Sequence, residues 1–278
     1  MMMVLSMVIF GTIGLLRKYI LLPSGLLSMY RGFIGVLLIL LFLLATKKKM
    51  NWKEVWNNGL LLLLSGVALG FNWAFLFEAY QYTSVATATL CYYMAPVFVL
   101  MVSPFLFKEK MTLRKIICIF TAVAGMVLVS GIFNTKSLGQ TDLRGIILGL
   151  LAAICYTLII VFNKKIKNIS PYDKTIVQLF IAASIMIPYT CLAEDISNLV
   201  ISMTSVGLIL VLGIVHTGIA YILYFASMKE LKTQTIALYS YLDPVTAVIV
   251  STLFLREEIG ITGIIGAVMI LGAAAFST

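Results

Sequence analysis

Charge is scarce in this chain: Asp, Glu, Lys and Arg make up 11% of 278 residues, and histidine occurs once. Ordinary soluble domains carry about a quarter of their residues charged, so a soluble globular fold is excluded. The same scarcity limits chemistry. One histidine, no H-E-x-x-H and four cysteines without C-x-x-C spacing leave no donor set for a metal. Few acids are left to serve a nucleophile and base, which argues against a membrane-embedded enzyme. No G-x-x-x-x-G-K-[ST] stretch is there to cradle a nucleotide, so ATP drive is not expected. Cys91, Cys118, Cys155 and Cys191 lie in apolar runs and read as small buried hydrophobes. No catalytic residue, metal or cofactor is expected.

Hydrophobic residues, by contrast, make up 62% of the chain, and mean hydropathy is +1.08. This composition belongs to an integral membrane protein. A membrane helix needs about 20 apolar residues, and ten stretches fit: 2–20, 26–45, 59–80, 84–107, 113–132, 144–163, 174–193, 203–226, 233–254 and 259–277. The first opens as M-M-M-V-L-S-M-V-I-F, without a basic n-region or cleavage site, and is expected to be a retained span. The net charge of +9 falls in short clusters between runs, which marks topology and not a nucleic-acid surface. With the N-terminus inside, 14 of the 20 basic residues lie in cytoplasmic loops; Arg17, Lys18, Lys136, Arg144 and Arg256 face outward, and Arg31 sits within a span. Both termini are therefore expected in the cytoplasm.

The chain also repeats itself. Sliding T-S-V-A-T-A-T-L-C-Y-Y-M-A-P-V-F-V-L-M-V-S-P-F-L-F-K-E-K-M-T-L-R-K (83–115) by 148 residues onto the stretch at 231–257 aligns Pro96 with Pro244, Glu109 with Glu257 and, upstream, Gly70 with Gly218. Five spans per copy is an odd number, so the second copy enters the membrane inverted. Inverted repeats around a midplane site are how many secondary transporters are built. The expected fold is thus all-α, ten transmembrane helices as two inverted five-helix repeats, 1–138 and 139–278. Gly66/Gly70 and Gly145/Gly149 have GxxxG spacing, and Gly263, Ala267 and Gly272 line the tenth span. These suit packing within the chain or a homodimer seam.

The five-plus-five repeat, the P-V-F-V and P-V-T-A prolines and the terminal K-E-K and R-E-E glutamates resemble the EamA family of the drug/metabolite transporter superfamily, over nearly the whole chain. The resemblance implies a ten-helix permease of the prokaryotic plasma membrane, with a cavity lined by spans 1, 3, 4, 6, 8 and 9. Family members export amino acids and other metabolites, some take up nucleotide-like compounds, and superfamily relatives include lipid-carrier flippases. The expected function is a secondary transporter of small organic metabolites, an exporter of amino acids or related compounds working by alternating access. The alternatives are a lipid-carrier flippase or an uptake permease. Its partners are a small-molecule substrate and membrane lipid, and the chain is a monomer or homodimer. Two departures are the lack of a short basic segment before the first span and the Tyr92–Tyr93 pair in the fourth.

Polar groups inside the membrane are expensive and mark function. Asp243, directly before Pro244, is a candidate for substrate binding and proton coupling, because a desolvated carboxylate is either paired or ready to exchange a proton. His216 has the same two candidate roles, its imidazole exchanging protons near neutral pH, against the alternative of a histidine tied to a neighbouring helix. Arg31 and Glu78 are candidates for an outer gate, pairing across two helices, or else two snorkelling side chains. Pro96 and Pro244, expected mid-helix, are candidate gating bends. Asn72, Trp73, Tyr92, Tyr93, Tyr156, Tyr221 and Tyr239, with Tyr224 and Tyr241, lie deeper than an interfacial belt. They suit either a cavity for amphipathic ligands or aromatic packing between helices.

Overall fold

Apolar runs of membrane length satisfy their own backbone only as helices, and helices are what they form. The computed structural model describes residues 1–107, 112–129, 140–196, 199, 201–228, 239–240, 242–257 and 259–277; all regular structure among them is helical. In order these are α1 (Met2–Gly11), α2 (Ile13–Tyr19), α3 (Ser24–Ala45), α4 (Trp52–Asn57), α5 (Gly59–Tyr82), α6 (Val85–Tyr92), α7 (Ala95–Phe107), α8 (Leu113–Val129), α9 (Gln140–Lys165), α10 (Pro171–Ala193), α11 (Met203–Val211), a π-helix (Leu212–Ile219), α12 (Ala220–Met228), α13 (Leu242–Phe254) and α14 (Ile261–Ser277). Seven helical stretches among the described residues are long and apolar enough to cross a membrane, and two further apolar helices, in α13 and α14, are shorter. Glu109, Tyr241 and the boundary near residue 138 lie outside the described residues.

Polar residues stop and start these helices. Ser170 accepts from the Asp173 N–H at 3.1 Å, with Pro171 at the first helical position of α10, and Ser84 and Ser202 cap α6 and α11 likewise. At the end of α3, Lys47 takes φ 54°, and the N–H groups of Lys47 and Lys48 turn back to Leu44 and Leu43. The short α4 was not legible as an apolar run. It leaves Trp52 and Trp56 exposed.

Three of the long stretches are interrupted. The first breaks at Thr12, between α1 and α2, where the Thr12 hydroxyl bonds the Ile9 carbonyl at 2.8 Å. The fourth turns at Tyr93 and Met94, between α6 and α7. Pro96 is therefore the second residue of α7 and not a mid-helix proline; its missing N–H costs no helical bond there. Pro244 is the third residue of α13 as described, while Pro104 and Pro188 are the prolines inside helices. In the eighth stretch the helix widens to π over Leu212–Ile219, a form often found at functional sites.

The helices pack across the chain's midpoint: α5 against α9 and α10, α3 against α10 and the π-helix, α1 against α12 and α13, α6 against α9 and α13, and α8 against α14. One buried cluster, including Leu27, Ile39, Phe77, Leu179 and Leu212, lies around α3, α5 and α10. A second, including Leu90, Met94, Ala122, Met126 and Ile270, joins α6, α7, α8 and α14. The GxxxG pairs serve packing within the chain. A Cβ on Gly66 would stand 2.6 Å from that of Ile181, and one on Gly149 would stand 2.8 Å from that of Cys91. Gly125 and Gly266 bring α8 and α14 together in the same way.

Candidate functional site

The interrupted helices converge. Tyr93, in the turn that ends α6, donates its hydroxyl proton to Asp243 Oδ2 at 2.8 Å, joining residues 150 apart in sequence. Gly11, at the end of α1, lies so close to this point that a Cβ on it would meet the Asp243 carbonyl oxygen at 2.6 Å and Thr246 Cβ at 2.5 Å. The first break, the fourth-stretch turn and the start of α13 therefore meet at one place.

Around it stands a set of aromatic rings. Tyr92 packs on Tyr156 with centroids 5.3 Å apart and edge-on to Tyr93 at 5.7 Å. Phe10 meets Tyr221 at 5.4 Å and Tyr224 at 6.5 Å, and Tyr221 stacks on Phe225 at 5.8 Å. These residues sit well inside their helical stretches, yet they are not sealed. Tyr156 keeps 37% of its surface open, and Tyr92, Tyr93, Tyr221, Tyr224 and Asp243 are half-buried. Tyr156 also lies within electrostatic reach of Tyr221, Tyr224 and Asp243. Partly open aromatic surface with a few polar tips is the lining that a small-molecule site between helices requires.

A second group stands at the π-helix. Arg31 is 3% exposed; its Nε–H donates to Thr217 Oγ1 at 2.7 Å, and its guanidinium lies over the Trp73 ring at 4.3 Å and the Phe77 ring at 5.4 Å. The expected Arg31–Glu78 pair does not form, and Arg31, buried as it is, does not snorkel. Glu78 instead accepts from Ser24 Oγ at 2.5 Å, and Ser24 accepts from Arg17 at 2.9 Å. Arg17, expected to face outward, is 2% exposed and bonds the Ile20 carbonyl at 2.6 Å. Seven residues into a helix, Arg31 is carried inward by about 10 Å at 1.5 Å per residue.

His216 Nε2 lies 2.9 Å from Thr12 Oγ1 and its Nδ1 lies 3.3 Å from the Val211 carbonyl. The contacts admit two proton arrangements. In a neutral ring with Nδ1–H on Val211, Nε2 accepts the Thr12 proton; in a charged ring, Nε2 donates to Thr12, whose proton then goes to Ile9. His216 is thus a histidine tied to the break of the first stretch, and a proton on it would turn the Thr12 hydroxyl from Nε2 to the Ile9 carbonyl.

Two candidates fall away from the open space. Asn72 is 1% exposed and donates to the Ala152 carbonyl at 2.7 Å, so it tethers α5 to α9. Tyr239 is half-buried, with no contact tying it to this site among the described residues. Trp73, 5% exposed, serves as the face under Arg31. Sequence reasoning missed Thr12, Phe10, Thr217 and Arg17. A hydroxyl beside glycine in G-T (11–12) and T-G (217–218) was the available signal. Elsewhere, Glu78, Tyr82, Arg144, Ile147 and Leu148 line an open groove of about 360 Å³ at the α5–α9 ends. No group of three His, Cys, Asp or Glu side chains among the described residues could hold a metal ion.

Comparison with known proteins names the architecture. The EamA-like transporter family matches residues 1–131 and 143–278. The chain belongs to that family. EamA-like proteins form part of the drug/metabolite transporter superfamily, so this is a membrane transporter by family. It is 34% identical to the uncharacterized transporter YxxF of Bacillus subtilis (strain 168) over 99% of this chain and 88% of that one. It is 26% identical to an uncharacterized transporter of Archaeoglobus fulgidus over 96% and 92%. A protein crystal structure superposes on this EamA-like chain with TM-score 0.69 at 18% identity, covering 100% of this chain and 96% of that one, a likeness of fold.

Proposed function

We propose that this EamA-like protein is a secondary transporter that carries a small amphipathic metabolite, an amino acid or a close relative, outward across the plasma membrane by alternating access. The observation that carries this reading is the convergence of interrupted helices on open tyrosine surface, with Asp243 at its centre. Interrupted helices at mid-depth are tolerated where they line a cavity. In this reading Asp243 carries the coupling proton, and Tyr93 orients its carboxylate.

The chain crosses the membrane ten times, as two inverted repeats with cytoplasmic termini. Helix pairing supports this: mapping each of the first five stretches onto its counterpart turns α5 on α9 into the π-helix and α12 on α1, α10 on α5 into α3 on the π-helix, and α6 on α9 into α13 on α1. The extracellular ends of the two halves are then tied by carboxylates on helix N-termini. Glu194 accepts from the N–H groups of Gly25 and Leu26 at 2.7 and 3.2 Å, and Glu257 from those of Val85 and Ala86 at 2.9 and 3.4 Å. At the opposite ends Asp173 accepts from the Asn51 N–H at 3.2 Å. Rocking one half against the other breaks one set while keeping the other.

The test is transport in liposomes with and without a pH gradient. Asp243→Asn is expected to abolish gradient-driven movement and spare ligand binding. Unchanged transport in that variant across the pH range would remove Asp243 from the mechanism. Absence of transport of every organic solute offered to the wild-type protein would remove the reading itself.

A further inference from the structure

Arg31 is buried in an unusual way. A guanidinium keeps its proton in any protein environment, so it cannot escape burial by becoming neutral. Buried charges are therefore paired. Arg31, 3% exposed, has one hydrogen bond, from Nε to the Thr217 hydroxyl, and two aromatic rings beneath it. Among the described residues no carboxylate forms an ion pair with it, and its Nη1 and Nη2 groups have no hydrogen-bond partner. Its electrostatic neighbours are Tyr221, Tyr92, Tyr80 and Asp243, three of which line the open space. Asp243 is the acid among them, and its Oδ2 is held by Tyr93.

The guanidinium is also held in orientation. Thr217 is fully buried and donates its own proton to the Leu212 carbonyl at 3.0 Å, the five-residue step of the π-helix, so its oxygen is free to accept from Nε. Trp73 fixes the plane of the group from one face. The Nη1–Nη2 edge remains: four N–H donors in one plane, matched to the two oxygens of a carboxylate. A fork oriented in advance loses little entropy when it binds.

We infer that Arg31 is the anion-binding residue of the cavity and that the transported solute carries a carboxylate seated on its Nη1–Nη2 edge. The inference rests on the transporter reading above and adds to it the ligand's charge and the residue that reads it. The rest of the solute lies toward Tyr92 and Tyr221.

The test uses the full chain in detergent and two matched series: phenylalanine, phenylpyruvate and phenethylamine; leucine, 4-methyl-2-oxopentanoate and isopentylamine. Each series presents one side chain with both charges, with the carboxylate alone and with the amine alone. At least one acid is expected to raise the melting temperature, while neither amine does. Arg31→Gln is expected to weaken that acid's binding at least tenfold, and Arg31→Lys to restore part of it. Thr217→Val, which removes the hydrogen bond but keeps the charge, is expected to weaken it less. If Arg31→Gln does not fold, the wild-type series and Thr217→Val carry the test. A shift by an amine equal to that of its amino acid, no shift by any acid, or unchanged acid affinity in Arg31→Gln overturns the inference. Liposome transport of a cationic or neutral solute but no acid overturns it while the transporter reading stands; absence of transport of any solute removes that reading.

Discussion

Arg17 and Arg31 are almost equally buried, at 2% and 3% exposure, and their surroundings differ in kind. Arg17 donates to the Ile20 carbonyl and to Ser24, which in turn bonds Glu78, and both Glu78 and Glu194 are within electrostatic reach. Its one orphan is Nε. Arg31 has a hydroxyl and two rings, and no acid bonded to it among the described residues. A cation whose donors are taken up by the protein's own acceptors, with acids nearby, is part of the scaffold. One left with an unused fork beside open tyrosines stands where a ligand would complete it.

The largest effect that would sharpen this contrast is on stability. Arg17→Ala removes the donors to the Ile20 carbonyl and Ser24 and the cation near Glu78 and should cost about 3 kcal/mol, read as a loss of melting temperature in detergent. Arg31→Gln without ligand should shift the same melting temperature far less; a comparable loss would break the distinction. Next, Glu78→Gln should cost about 1–3 kcal/mol by weakening the acceptor of the Ser24 bond. Its effect should shrink in an Arg17→Met background, because the two share one network. If the two changes simply add, Arg17 and Glu78 are not coupled. Gly70→Ala tests the scaffold away from both arginines. Its Cβ would stand 2.9 Å from the Ala182 backbone oxygen, so overpacking should cost about 1–3 kcal/mol with ligand selectivity unchanged. The smallest effect is Ser84→Ala, about 1 kcal/mol from a lost helix cap, again measured as a melting shift.

Much of the helical framework was legible because membrane length and hydropathy are written locally. Where helices begin was legible too, as in S-P-Y-D at 170–173, which caps α10. Interruptions were harder. The π-helix differs from α in closing its backbone bonds five residues back instead of four, as the Ala220 N–H does to the Val215 carbonyl, and an apolar run carries no mark of that choice. The proline of the fourth stretch pointed to the right neighbourhood, but the chain turns just before Pro96 and not at it.

At the site, residue types were informative and partners were not. Asp243 stood out because carboxylates are rare in such runs, yet its contact with Tyr93 spans 150 residues. Arg31 and Glu78 were matched as opposite charges near the ends of neighbouring helices. Ser24, itself held by Arg17, claims Glu78 first, and Arg31 lies deeper, over the Trp73 ring. Asn72 looked like a ligand contact because a mid-membrane amide must bond something; that something is the Ala152 carbonyl.

By itself, then, the sequence determined the solvent, the helices and the short set of polar residues with a cost to justify, since each follows from composition and spacing along one chain. Only the tertiary structure decided which buried charge is neutralised from within. That depends on lateral packing between helices far apart in sequence, where a few ångströms separate a satisfied guanidinium from an open fork.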